Sequence, residues 1–173
     1  TYGIVRQADA LNSSDPVSSQ AAGTSYASID PTGKVLLVSH YSGSNIAVLP
    51  IRSDGGLGEA ADVEHPAGPV NPDRAADNPP GQFAFSDHGA SHPHMIQPDP
   101  SGRFVIVDDA GLDQILLWRL DPASGKLSPQ GTPFAAPPGS APRHFVFDDS
   151  GRRCYQLFAQ DSKLACDDLE PDS

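Results

Sequence analysis

The sequence has little cysteine and no long hydrophobic run, and each shortage excludes a class of protein. Cys154 and Cys166 are the two cysteines of the chain, too few for a disulfide framework, so we expect reduced thiols. No apolar stretch approaches the roughly 18 residues that a membrane-spanning helix requires. The first residues show no charged segment followed by an apolar one. We therefore expect a cytoplasmic protein with no membrane partner. Export with a removed signal peptide stays open, because the sequence has no initiator methionine.

Basic residues are scarce as well. Lys and Arg together number 11 against 22 Asp and Glu, which gives a formal net charge of −11. Nucleic-acid binding depends on a basic patch that displaces counterions from phosphates, and the sequence contains no such patch. We therefore expect no nucleic-acid partner. A few converging Arg and His side chains would still allow this acidic protein to bind an anionic small molecule.

Glycine and proline, in contrast, are abundant, with 16 and 18 residues. This composition predicts many short elements joined by tight turns and disfavours long helices. One turn, an Asp followed three residues later by Gly, occurs three times, at 30–33, 99–102 and 148–151. Its Asp can bond to the backbone downstream while its Gly adopts a positive φ. Strand-like apolar runs follow, at 35–38, 45–51, 104–107, 114–120 and, more weakly, 154–158.

The spacing of this turn predicts the fold. Gly33 and Gly102 are 69 residues apart, whereas Gly102 and Gly151 are 49 apart, close to the ~40–50 residues of a propeller blade. Continuous apolar strands suit sheets that are covered on both faces, as stacked blades are. We predict an all-β protein, a partial β-propeller of about three blades, with a β-sandwich as the alternative. The predicted blades span 26–65, 92–136 and 142–169, and a long polar insertion loop, typical of functional loops, spans 60–91.

Short motifs between residues 26 and 155 point to a known family. They lie at 39–46, 54–58, 65, 71–74, 92–95, 109–113 and 142–145. In order and spacing they resemble the lactonase family typified by bacterial 6-phosphogluconolactonase, whose fold the fungal carboxy-cis,cis-muconate cyclases share. The resemblance implies a seven-bladed propeller, of which this chain would form about three blades in an incomplete ring. Blade faces left exposed in this way would favour self-association.

The resemblance also implies an enzyme, a hydrolase that opens a small-molecule sugar lactone such as 6-phosphogluconolactone, with no cofactor and no metal. The family's catalytic His falls on His94 and its Arg on Arg143. The family's Glu would fall four residues after Tyr155, where this sequence has Ala159. A muconate-lactone cyclase is one alternative, and a non-catalytic truncated or frameshifted homologue is another, since family-like residues fade after Tyr155. The implied substrate-binding residues are His65, Arg74, His92 and His144.

The chemistry of lactone hydrolysis explains these residue types. The reaction needs a nucleophilic water and a stabilised oxyanion. An ordinary imidazole titrates near neutral pH, so His94 would serve as base, while Arg143 presents a fork of donors to an oxyanion, carboxylate or phosphate. Structural roles stay open for both, as a strand histidine bonded to backbone and as an arginine paired with a neighbouring blade. A zinc site is a less favoured interpretation, in which His92 and His94 share a strand face with Asp87 or His88.

Several polar and apolar residues have purely structural interpretations. Asp109 and Asp113 flank a glycine and are expected to cap a turn between two strands. His88 lies in the insertion loop, where we expect it to be solvated. Core positions are expected for Phe104, Trp118 and Cys154.

Overall fold

The computed structural model describes residues 16–73 and 84–168, and within them eleven strands form three antiparallel sheets. The first sheet contains β1 (Thr24–Ile29), β2 (Val35–His40), β3 (Asn45–Pro50) and β4 (Asp62–Glu64). The second contains β5 (Pro93–Pro98), β6 (Phe104–Asp109), β7 (Gln114–Asp121) and β8 (Lys126–Ala135). The third contains β9 (Pro142–Phe147), β10 (Arg153–Phe158) and β11 (Lys163–Asp168). This part of the chain offers no helical segment with the length and hydrophobicity of a membrane span.

The first strands of the three sheets, β1, β5 and β9, are called the inner strands below, and β5 packs against both β1 and β9. The Ser25 hydroxyl on β1 donates a 3.0 Å hydrogen bond to the Pro93 carbonyl on β5. The Phe145 amide on β9 lies 3.2 Å from the Met95 sulfur on β5. Sheets that meet through their first strands are consecutive propeller blades, so the predicted fold class is confirmed. The β-sandwich alternative, which requires two sheets packed face to face, is wrong.

The hydrophobic core lies between the blades. Val48 of the first sheet and Trp118 of the second belong to one buried cluster, and Met95 and Phe145 belong to another between the second and third sheets. Trp118 and Cys154 are buried as predicted, while Phe104 is half-buried beneath the Arg103 guanidinium, which lies 5.4 Å from its ring centroid. Packing against the first sheet on one side and the third on the other explains why β6 and β7 of the second sheet are apolar on both faces.

The repeated turn forms as its residues predict. One oxygen of the Asp30 carboxylate accepts hydrogen bonds from the Lys34 and Val35 amides, each at 2.8 Å. Gly33 has a φ of 70°, a conformation that costs little without a β-carbon. Asp109 also caps its turn, accepting from the Gly111 amide at 3.1 Å. These carboxylates set the direction in which each following strand leaves its turn.

Two strands are more regular than their sequence patterns indicate. β8 contains Pro129, Gly131 and Pro133, residues that weaken a strand pattern, but it lies at the edge of its sheet, where a missing amide hydrogen bond is tolerated. The weaker apolar run at 154–158 forms a complete strand, since β10 extends to Phe158 and pairs residue by residue with β11. Residues on β10 alternate between buried and exposed, which buries Gln156 and Phe158 and explains why the apolar run looks weak in the sequence.

Candidate active site

The two predicted catalytic residues occupy equivalent positions in neighbouring blades. His94 is the second residue of β5, and Arg143 is the second residue of β9. Because β5 and β9 pack together, the two side chains meet, and Arg143 Nε donates a 3.0 Å hydrogen bond to His94 Nε2. His144, the next residue on β9, places its ring edge-on to that of His94, with centroids 4.9 Å apart. The structure thus brings three of the predicted site residues together.

The hydrogen bond from Arg143 defines the protonation state of His94. Because Nε2 accepts a proton from the guanidinium, the neutral imidazole carries its own proton on Nδ1. That Nδ1 atom is buried and has no hydrogen-bond partner among the described residues. Burial lowers the pKa of His94 to about 4, and the positive charges of Arg143 and His144 contribute to the shift. Burial and the charge of Arg143 also lower the pKa of His144.

His94 and Arg143 line a cavity of about 260 Å³, called the central cavity below. Arg143 is exposed and forms no ion pair with a described residue. A guanidinium without a carboxylate partner favours an anionic ligand. The other residues of the lining are Tyr41, Ala84, Phe85, Ser86, Ala110 and Ala159.

His92 lies behind one wall of this cavity and supports Tyr41. The two rings stack with centroids 4.4 Å apart, and His92 Nδ1 donates a 2.7 Å hydrogen bond to the Tyr41 carbonyl. His92 Nε2 lies 3.4 Å from a carboxylate oxygen of Asp87. His92 therefore holds Tyr41 in place and is absent from the cavity lining. Within the described residues, no group of three or more His, Cys, Asp or Glu is arranged to hold a metal ion.

Comparison with known families agrees with the fold. The model of the family described as lactonase, 7-bladed beta-propeller, matches residues 1–171. The chain belongs to this lactonase family. The match extends beyond Tyr155, so the expectation that family-like residues fade there is wrong.

Individual relatives are longer than this lactonase chain. It is 25% identical over 132 residues to the 6-phosphogluconolactonase of Bacillus subtilis, covering 76% of the chain and 33% of that protein. The structure of the periplasmic gluconolactonase of Pseudomonas aeruginosa is 26% identical with a TM-score of 0.63, covering 91% of the chain and 45% of that structure. A structure from Bacteroides uniformis has a TM-score of 0.82 at 19% identity, and the match covers 98% of the chain and 46% of that structure. This likeness shows the shared fold. The chain thus spans less than half the length of these relatives.

The lactonase chain presents a methyl group where the family resemblance implies a carboxylate. Ala159 follows directly after β10 and lines the central cavity with His94 and Arg143. Its amide donates a 2.9 Å hydrogen bond to the Ala141 carbonyl, which fixes the backbone at this point. The position is therefore the one from which a longer acidic side chain would reach the cavity.

Two other predicted substrate-binding residues are not part of this arrangement. His65 is exposed and lines a separate cavity of about 320 Å³ beside Trp118 and Pro129. Arg74 lies outside the described residues. A substrate role for either residue stays a prediction.

Sequence reasoning missed the residues that fix one wall of the central cavity. Residues 84–91, called the rim segment below, bring Ala84, Phe85 and Ser86 to the cavity lining. His88, expected to be solvated, is fully buried, with Nε2 3.0 Å from Gln160 Oε1 and Nδ1 3.2 Å from the Gly111 carbonyl. The expectation failed because this loop folds back between blades. The length and polarity of the insertion loop were the sequence features that could have indicated its contribution to the cavity wall.

Proposed function

We propose that this chain forms part of the active site of a lactonase that opens a sugar lactone such as 6-phosphogluconolactone. The observation that carries the proposal is the contact between His94 and Arg143 at the wall of one cavity. Relatives named 6-phosphogluconolactonase and gluconolactonase support the same reaction class. A cytoplasmic location belongs to this proposal, and the periplasmic relative keeps export open as an alternative.

In the proposed reaction a water molecule attacks the lactone carbonyl carbon, the ring C–O bond breaks and the open hydroxy acid is released. His94 Nε2 accepts a proton from the attacking water and returns one to the leaving alkoxide. Arg143 pairs with the developing oxyanion or with a phosphate or carboxylate of the substrate. With a pKa of about 4, His94 is neutral at pH 7 and has a lone pair for this role, although it is a weak base.

Binding without turnover is the second candidate function, and Ala159 favours it. The methyl group supplies neither an acid nor a base at the cavity wall, and no carboxylate lines the cavity among the described residues. Arg143 would still hold an anionic ligand there. A muconate-type lactone, which also carries carboxylates, is the substrate to compare with the phosphorylated sugar lactone.

The test is base consumption at constant pH, measured above spontaneous lactone opening. We expect slow turnover by the unaltered chain and loss of that turnover in His94→Gln. Ala159→Glu should raise the rate on the order of 10²-fold, the usual contribution of a positioned acid or base. Ala159→Gln, of matched size without charge, should leave the rate unchanged.

Equal rates for the unaltered chain and His94→Gln would remove His94 from the mechanism. Saturable binding of the open acid, measured by calorimetry, together with spontaneous rates for every variant would support the non-catalytic candidate.

A further inference from the structure

The contact that brings His94 and Arg143 together also blocks the proposed base. The in-plane lone pair of His94 Nε2 accepts the Arg143 Nε–H at 3.0 Å. An imidazole nitrogen has one such lone pair, so Nε2 cannot take a proton from water while this hydrogen bond exists. The other nitrogen, Nδ1, carries the proton and is buried. The resting site is therefore inactive as a base at both ring positions.

An anionic ligand would bind the Arg143 guanidinium more strongly than His94 does. Its guanidinium is exposed and pairs with no described carboxylate. Ala159, which shares the lining of the central cavity with Arg143, supplies no acidic group. A hydrogen bond from a guanidinium to a neutral imidazole is weaker than paired hydrogen bonds to a phosphate or carboxylate. An anionic ligand therefore competes well for the Nε–H.

We propose that an anionic group on the ligand draws Arg143 off His94 and thereby uncovers the His94 Nε2 lone pair for water. The inference rests on the proposed lactone site and adds its regulation: Arg143 masks the base until a phosphate or carboxylate occupies the guanidinium. Ligand binding and base activation are then one event, and neutral lactones of the same size are poor substrates.

The surroundings of His94 support this coupling. Arg143 and His144 contact His94 from β9. Tyr41, in the turn after β2, lies edge-on to His94 with the ring centroids 5.9 Å apart. The positive charge of Arg143 helps to hold the pKa of His94 at about 4, after the larger effect of burial. An anion that neutralises Arg143 removes this repulsion, so the pKa of His94 should rise towards its usual range.

Nitrogen NMR of the histidine rings in the full chain tests the inference, with inorganic phosphate as the probe. Without phosphate we expect His94 in the Nδ1–H form, with Nε2 shifted by its hydrogen bond. Saturating phosphate should raise the His94 pKa by about one unit and shift the Arg143 Nε signal with the same midpoint. His94→Gln assigns the His94 signals.

Three variants complete the design. Arg143→Gln should show a raised His94 pKa that phosphate no longer changes, and Arg143→Lys, which keeps the charge without the Nε–H, should leave Nε2 unmasked. Arg119→Gln, at an exposed arginine of the second blade, is the matched control and should retain the full response.

A His94 pKa and tautomer unchanged at saturating phosphate would overturn the inference, as would an Arg143 signal that never responds. The result is separable from the proposed function, because the NMR measurement needs no turnover. Lactone opening with an unresponsive His94 refutes only the masking. A responsive His94 without lactone opening refutes only the hydrolysis.

Discussion

Asp108 is a carboxyl group with no access to solvent, on β6 between the second and third blades. Its Oδ2 accepts a 2.6 Å hydrogen bond from Gln156 Nε2, while Oδ1 is buried without a partner among the described residues. Burial raises the pKa of Asp108 to about 7 against the opposing effect of the Gln156 hydrogen bond, and the neighbouring Asp109 adds to the rise. At the residue scale, this carboxyl makes the blade interface sensitive to pH.

We predict that the contribution of Asp108 to the free energy of unfolding falls as the pH rises from about 4 to about 7 and no longer changes above pH 7. The folded chain holds this proton more tightly than an unfolded chain, in which Asp has a pKa near 3.9. A difference of about three pKa units corresponds to about 4 kcal/mol. Asp108→Asn should remove this dependence and unfold at higher urea concentration than the unaltered chain at pH 8.

Urea unfolding at pH 5 and pH 8 measures the effect, and Glu59→Gln, at an exposed carboxylate, is the control that should keep the original dependence. A loss of stability in Asp108→Asn at pH 8 would show that the ionised carboxylate is tolerated in the interface.

At the scale of elements, the rim segment connects all three blades around the central cavity. The Asp87 amide lies 3.5 Å from the Tyr41 hydroxyl beside the first blade, and His88 contacts Gly111 in the second. The Ser86 amide donates to Gln160 Oε1 of the third blade at 3.1 Å. His88 Nδ1 also lies 3.4 Å from the Asp113 carboxylate, and both groups are fully buried. The partners in these polar contacts all lie outside the rim segment, so the rest of the fold determines its position.

We predict that His88→Phe, which keeps a ring but loses its hydrogen bonds, lowers the free energy of unfolding by about 1–3 kcal/mol. Amide hydrogen exchange within 84–91 should accelerate, because the rim segment loses the hydrogen bond between His88 and Gln160. His65→Phe, at an exposed histidine, is the control and should change neither quantity. Unchanged exchange in His88→Phe would mean that other contacts hold this wall.

At the scale of the whole molecule, the outward face of the third sheet is apolar and exposed. Tyr155 pairs with Val146, and Leu157 pairs with Leu164, so these four side chains form one patch. Leu164 is 76% exposed and Val146 is 61% exposed. The first sheet differs, because its face away from the second sheet is covered. Val38 on that face belongs to a buried cluster against which Val17, Leu57 and Ala60, outside the strands of the sheet, are packed.

We predict that the 173-residue chain self-associates through this patch, with a second copy covering it as the neighbouring blades cover one another. Light scattering after size exclusion should show a dimer or larger species that the double variant Val146→Lys and Leu164→Lys converts to monomer. Val70→Lys, at an exposed apolar residue elsewhere, should leave the species unchanged. A monomeric unaltered chain at all concentrations would contradict the prediction.

The sequence by itself determined the repeating unit of this protein. Asp30 and Gly33, with their two later copies, specify a turn through local hydrogen bonds and a positive φ, and such short-range chemistry is visible in one dimension. The apolar runs after each turn specified strands buried on both faces. The motifs around His94 and Arg143 singled out two residues that occupy the second positions of β5 and β9.

Tertiary structure alone decided which polar residues meet. The family resemblance implied site roles for His65, His92 and His94 alike. The packing of the blades places His65 beside another cavity and His92 against Tyr41. His88 is buried because Gln160, 72 residues away, supplies its partner. Hydrogen bonds between blades depend on the positions of distant strands, which no local pattern contains. The masking of His94 by Arg143 arises in the same way, from two strands brought together by the propeller.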